Sequence, residues 1–243
     1  MFVTSPDAPL PRPEPHLTEI AHACQTVYGD AHIEHGVMDV EVRFDELSEP
    51  SELLVTFRGS ESVRDWLVNM CAMMVYYDEC MIHAGFLASW CSVDLQVIDA
   101  IDKIMNRTGM NDIVVAGHSL GGAMASLCAL DLKRVRPQYN VRLTTFAGPK
   151  VGNAAFAKQL VVLKPLTICH FGDVVPKLPV FSVLARSIYR PSKRSVYAAP
   201  KHCKHFIARH HMSSYIETVD EITRAHGLDP RVVDEGESSH REQ

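Results

Sequence analysis

The chain predicts an α/β fold, a mostly parallel central sheet with helices on both faces. Three observations carry that expectation. Apolar strand-like runs alternate with helical periodicities over roughly 150 residues, the pattern of strand–helix–strand units. One such run, Ile113 to Ala116, passes directly into a serine framed by glycines and then into a helix-forming stretch. No internal repeat or linker divides residues 17–226, so a single domain is expected there.

The elements follow in chain order. Five prolines among the first sixteen residues (Pro6, Pro9, Pro11, Pro13, Pro15) mark residues 1–16 as a semi-rigid tail, since proline removes backbone donors and favours extended chain. Leu17 to Tyr28 carries Leu17, Ile20, Ala21, Cys24, Val27 and Tyr28 at helical spacing. Val40, Val42 and Phe44 alternate with charges, as a half-buried strand does. Leu53 to Phe57 is a short apolar strand. Phe86 to Met105 sets Phe86, Trp90, Val93, Val97, Ile101 and Ile104 on one face of a single long helix. Ile113 to Ala116 is a buried strand, and Gly121 to Val135, rich in Ala, Leu and Met, is a helix. Val141 to Phe146 and Leu166 to Phe171 are two further strands. The polar stretch 227–243 is a tail.

Composition excludes several classes. With 47% apolar and 22% charged residues the 243-residue chain can bury a core, and wholesale disorder is ruled out. The net charge of −5 gives no reason to expect nucleic-acid binding. No run approaches the roughly 18 apolar residues of a membrane span. The N-terminus lacks a basic start followed by an apolar run, so no secretory signal is read there. Seven cysteines, an odd number without CxxC pairing, read as free thiols. Together these make a cytosolic protein the expectation.

The chemistry lies in Gly117-His118-Ser119-Leu120-Gly121-Gly122, a GxSxG pattern between a strand and a helix. A serine hydroxyl is a poor nucleophile unless it is held prominently against a base, and a sharp strand-to-helix turn presents it in that way. The glycines two residues to either side allow strand and helix to pack closely there. The turn also aims the free N–H groups of the helix N-terminus at a developing negative charge. The segment is not a phosphate loop, lacking a GKS or GKT ending, and no dinucleotide fingerprint occurs, so no cofactor is expected.

Five further segments fall in a recognisable order. They are Phe57-Arg58-Gly59-Ser60 with Asp65-Trp66; His83-Ala84-Gly85-Phe86; Thr145 to Asn153, reading TFAGPKVGN; Asp173 to Pro179, reading DVVPKLP; and His210-His211-Met212-Ser213-Ser214-Tyr215. With the GxSxG turn, the stretch from Leu53 to Glu217 resembles the class 3 (fungal-type) lipases of the α/β-hydrolase superfamily. The resemblance implies a hydrolase of lipid esters with Ser119 as nucleophile, Asp173 as acid and His210 as base, in that superfamily's chain order. His211 falls where the family commonly has Ser, and it is the alternative base one residue on. The oxyanion would be held by the backbone N–H of Leu120 and by Ser60. Ser60 as a plain helix N-cap is compatible with that role. His118 is expected to point away from the reaction, and His83 to be a structural group or a supporting one near the site.

Other readings complete the expectation. Val63, Trp66, Leu67 and Met70 form a short apolar stripe after the oxyanion turn, where the resemblance implies a lid; ordinary core packing is the alternative. His202, Cys203, His205, His210 and His211 cluster, but structural zinc prefers paired ligands from two separate groups, so no metal is expected. Residues 174–216 hold eight Lys and Arg and no acid, leaving −13 on the remainder. That is either a solvated loop or a footprint for an anionic membrane surface. The partners expected are therefore a lipid ester and peripheral contact with a lipid interface. A phospholipase A1-type activity or an acyltransferase, and from another class a lipid-binding pseudoenzyme, are the competing functions.

Overall fold

A computed structural model describes residues 16–26, 33–35, 40–48, 51–59, 73–178, 195–198 and 210–225. Seven strands form the main sheet: β1 (Ile33–His35), β2 (Val40–Ser48), β3 (Ser51–Phe57), β6 (Asp112–His118), β7 (Asn140–Phe146), β8 (Leu166–His170) and β9 (Ser195–Ala198), side by side in that order. β1, β2 and β3 pair antiparallel, and from β3 to β9 every pairing is parallel. A separate two-stranded hairpin, β4 (Met74–Tyr77) and β5 (Cys80–His83), stands between β3 and the next helix. Among the described residues the α-helices are α1 (Leu17–Thr26), α2 (Ala84–Cys91), α3 (Asp94–Thr108), α4 (Leu120–Val135), α5 (Ala154–Gln159) and α6 (Met212–Ala225).

The central strands are buried on both faces, which is why they read as unbroken apolar runs rather than alternations. On one face Leu53, Val55, Phe57, Ile113 and Val115 pack under α2, α3 and α4. On the other, Leu54, Val114, Ala116, Phe146 and Ile168 pack under α1 and α6 through Leu17, Ile20, Met212, Tyr215 and Val219. Helix α4 is buried from Leu120 to Leu132, so it is apolar on almost every side. Its one buried acid, Asp131, accepts from the Trp90 indole N–H at 2.6 Å and the Tyr77 hydroxyl at 3.1 Å, and pairs with Arg134 at 3.0 Å. These bonds tie α2 and the hairpin to α4, and they satisfy a carboxylate that would otherwise be costly to bury.

Two expectations change. The single helix over Phe86 to Met105 is two helices, bent by 52° at Ser92 and Val93. There the Ser92 hydroxyl donates to the Ser89 carbonyl at 2.7 Å, competing with the helical ladder, and Val93 leaves helical geometry at φ −130°. The apolar stripe survives because Phe86, Trp90, Val97 and Ile101 all reach the same core. The β4–β5 hairpin was not expected at all. Its two-residue turn places both Asp78 and Glu79 at positive φ, 44° and 62°, a conformation that usually selects Asn-Gly. Among the described residues no single helix is long and apolar enough to cross a membrane. Of the expected tails, 1–16 and 227–243, all but His16 lie outside the described residues.

Candidate active site

The carboxyl ends of β6, β7 and β8 lie together, and each delivers a loop to one place. β6 ends at His118, Ser119 takes φ 56° and ψ −124°, and α4 starts at Leu120. The Ser119 N–H bonds the Phe146 carbonyl at the end of β7 (2.9 Å), and the Gly122 N–H bonds the Ser119 carbonyl (2.9 Å). A left-handed non-glycine residue is strained, and here bonds on both sides of it hold the strain in place.

The glycines make this turn geometrically feasible. A Cβ on Gly121 would lie 2.2 Å from the Phe57 carbonyl oxygen, and one on Gly117 would lie 2.2 Å from the Gly121 carbonyl oxygen. The end of β3 therefore rests directly on the first turn of α4. Arg58, which is paired with Glu41, and Gly59 continue from that contact toward Ser60. The N–H of Leu120, in the first helical turn, has no acceptor within its own helix.

Ser119, His210 and Asp173 form one hydrogen-bonded line. The Ser119 hydroxyl meets His210 Nε2 at 2.8 Å, and His210 Nδ1 meets Asp173 Oδ2 at 2.8 Å. A carboxylate only accepts, so Nδ1 carries the imidazole proton and Nε2 is left to accept from the serine. Asp173 Oδ1 accepts the Val175 N–H at 3.0 Å, and Oδ2 also accepts the Tyr215 hydroxyl at 2.8 Å. His211 is exposed and makes no part of this line.

Two features were not read from the residues. The turn presents the serine prominently, yet Ser119 is 1% exposed, and His210 and Asp173 are buried with it. His118 was expected to point elsewhere, but its ring lies against that of His210, with centroids 4.8 Å apart, and its Nε2 bonds the His210 carbonyl at 2.7 Å. Burial, and after it the neighbouring His210, push the His118 pKa well below histidine's ordinary value, so this ring is held neutral. His83 is structural as expected, its Nδ1 accepting the Phe86 N–H at 3.3 Å to cap α2. Ser60, the stripe Val63, Trp66, Leu67 and Met70, and the cluster residues His202, Cys203 and His205 lie outside the described residues.

Tyr215 is more than a marker of register. Its hydroxyl bridges the Asp173 carboxylate and the His170 N–H (3.0 Å), and its ring stacks on His170 with centroids 3.7 Å apart. Burial and the adjacent Asp173 charge push the phenol pKa well up, keeping it a donor. Tyr215→Phe strands the His170 N–H and removes one donor from Asp173, so a loss of about 1–3 kcal/mol in stability is expected. Thermal melting checks this, and a loss under about 0.5 kcal/mol would mean that water replaces the hydroxyl.

Comparison with known proteins agrees with this geometry. The model of the family lipase (class 3) matches residues 54–183, more than half of the chain. The secreted mono- and diacylglycerol lipase A of Penicillium cyclopium is 37% identical over 139 residues, covering 55% of this chain and 45% of that protein. A lipase of Rhizomucor miehei is 33% identical over 135 residues, 52% of this chain and 37% of that protein. The chain thus matches less than half the length of these relatives. Among solved structures, a triacylglycerol lipase with a serine-protease triad as its catalytic centre superposes with TM-score 0.58 and 30% identity, covering 61% of this chain and 59% of that one. The Rhizomucor miehei lipase in complex with its propeptide gives TM-score 0.60 and 28% identity, over 67% and 61%.

The cytosolic expectation is corrected by the same relatives, since those from Penicillium and Fusarium solani are secreted lipases. The cysteine count misled for a physical reason. Cys24, Cys80 and Cys128 lie in the apolar cores and Cys169 is buried as well, and burial pushes the thiols of Cys24, Cys128 and Cys169 far up. Such groups act as small inert fillers, so their unpaired state does not report a redox compartment. The matched segment, the order of the strands and the site they assemble agree: the chain belongs to the class 3 lipase family and has the α/β-hydrolase fold.

Proposed function

We propose that the protein hydrolyses carboxylic esters of lipids, of the acylglycerol type, through an acyl–Ser119 intermediate. The observation that carries this reading is the buried Ser119–His210–Asp173 hydrogen-bonded line. The Ser119 Oγ attacks the ester carbonyl carbon while its proton passes to His210 Nε2, and Asp173 steadies the imidazolium that forms. The oxyanion takes the Leu120 N–H, with Ser60 as the second donor, each such bond contributing about 3–4 kcal/mol to the transition state. The carbon–oxygen bond to the alcohol then breaks, and His210 returns the proton to the departing oxygen. Water repeats the sequence to free the fatty acid.

The lipid nature of the ester is supported by the names of the relatives, mono- and diacylglycerol lipases and a triacylglycerol lipase. Peripheral contact with an anionic interface is supported by the eight cations in residues 174–216. A fluorophosphonate probe is expected to label the full chain at Ser119 and to leave Ser119→Ala unlabelled. Hydrolysis of emulsified acylglycerols should exceed that of short soluble esters, and binding to vesicles with anionic lipid should weaken as salt rises. Absence of labelling sinks the acyl-enzyme. Labelling with turnover of soluble esters alone would move the substrate away from lipids.

A further inference from the structure

His118 touches the base at a place that the acid–base line leaves unexplained. His210 stands two residues before α6 and belongs to no strand. In the first turn of that helix the Ser214 N–H goes to the carbonyl of His211 (3.1 Å). The His210 carbonyl faces the His118 ring, with Nε2 at 2.7 Å. A carbonyl only accepts, so His118 Nε2 carries the proton and donates it. The contact is buried, His118 being 4% exposed, and the His118 ring is flanked by His210 at 4.8 Å and by Tyr215 at 5.9 Å.

We infer that His118 is a positioning residue which fixes the main chain of the base relative to the nucleophile. Two consecutive residues at the end of β6 hold His210 at both ends. His118 takes its carbonyl, and Ser119 meets its Nε2 at 2.8 Å. The nucleophile-to-base distance is thereby referred to a single dipeptide, itself anchored where the Ser119 N–H bonds the Phe146 carbonyl. Burial keeps this ring neutral, so the contact brings no second positive charge against His210. Without the bond, the contacts among the described residues that still position the base are those of its ring and of the start of α6.

This inference rests on the triad reading, and the test separates the two. The full-length wild type, His118→Phe and His118→Gln are compared by the rate of inactivation with a fluorophosphonate and by kcat and KM on p-nitrophenyl butyrate. Thermal melting identifies the variants that fold. Phe keeps a planar ring and loses the donor; Gln keeps a donor near the position of Nε2. His118→Phe is expected to lower kcat and the inactivation rate together, by about 30- to 100-fold, with KM within about twofold, as a misplaced reacting group does. His118→Gln should return to within about fivefold of wild type. A folded His118→Phe within threefold of wild type overturns the inference, and so does a Gln variant as slow as the Phe variant. Where Phe does not fold, the smaller His118→Leu serves in the same comparison. A wild type that the probe does not label defeats the triad reading instead.

Discussion

Alanine at Ser119 is expected to lower kcat/KM on any ester by about 10⁴-fold or more while the protein still folds. The loss follows from the order of events, since among the described residues the hydroxyl against His210 Nε2 is that of Ser119, and the residual rate comes from the oxyanion donors and water. The substitution removes one buried oxygen and leaves His210 Nε2 without its partner, a change of about 1–3 kcal/mol in stability. His210→Ala should cost activity on the same scale, because members of a coupled triad do not contribute additively. His211→Ala should be mild, the side chain being exposed and outside the hydrogen-bonded line. Steady-state rates on a soluble ester, with each variant's fold checked by circular dichroism, decide the matter. A Ser119→Ala protein within tenfold of wild type removes Ser119 from the chemistry.

The second large effect is on the fold itself. Gly121→Ala places a methyl carbon 2.2 Å from the Phe57 carbonyl oxygen and 2.7 Å from that of Arg58. Both are backbone atoms of the central sheet and its exit, so no side chain can swing aside to make room. Strand β3 and helix α4 must separate, at a cost of at least about 3 kcal/mol. For a chain of this length that is a fall of roughly 6–12 °C in Tm. Gly109 is the control, since a Cβ there meets nothing within 4 Å and only its φ of +74° is unfavourable. Gly109→Ala should therefore cost about 1–2 kcal/mol. Urea unfolding compares the two directly. Equal losses would mean that conformation, and not close approach, is what glycine supplies at position 121.

What was legible in the residues follows the locality of the signal. The strand into the elbow, its glycines and the helix after it all act over a few residues, and apolar runs record burial on both faces. Asp173 and His210 were legible mainly through the resemblance of DVVPKLP and of the His210–Tyr215 segment to the family's motifs, since nothing local distinguishes Asp173 from a turn aspartate. Features set by long-range contact were not legible. The bend at Ser92 depends on one hydroxyl choosing a carbonyl. The Asp78–Glu79 turn adopts left-handed geometry without the residues that announce it. The His118 contact joins residues 92 positions apart, and the burial of Ser119 is a property of the assembled layers.

The two cores on either side of the sheet bear on how such a site fails. Ser119 immediately precedes α4, which lies with α2 and α3, whereas His210 adjoins α6, which with α1 forms the thinner apolar layer among the described residues on the opposite face. Proteins open in cooperative pieces, and pieces with less buried apolar surface open first. A fluctuation that lifts the α1–α6 sheath withdraws His210 and Tyr215 together while the elbow and five parallel strands stay intact. Durability of the assembled triad is then governed by adhesion of that sheath, at Leu17, Ile20, Met212 and Val219, rather than by the melting of the domain.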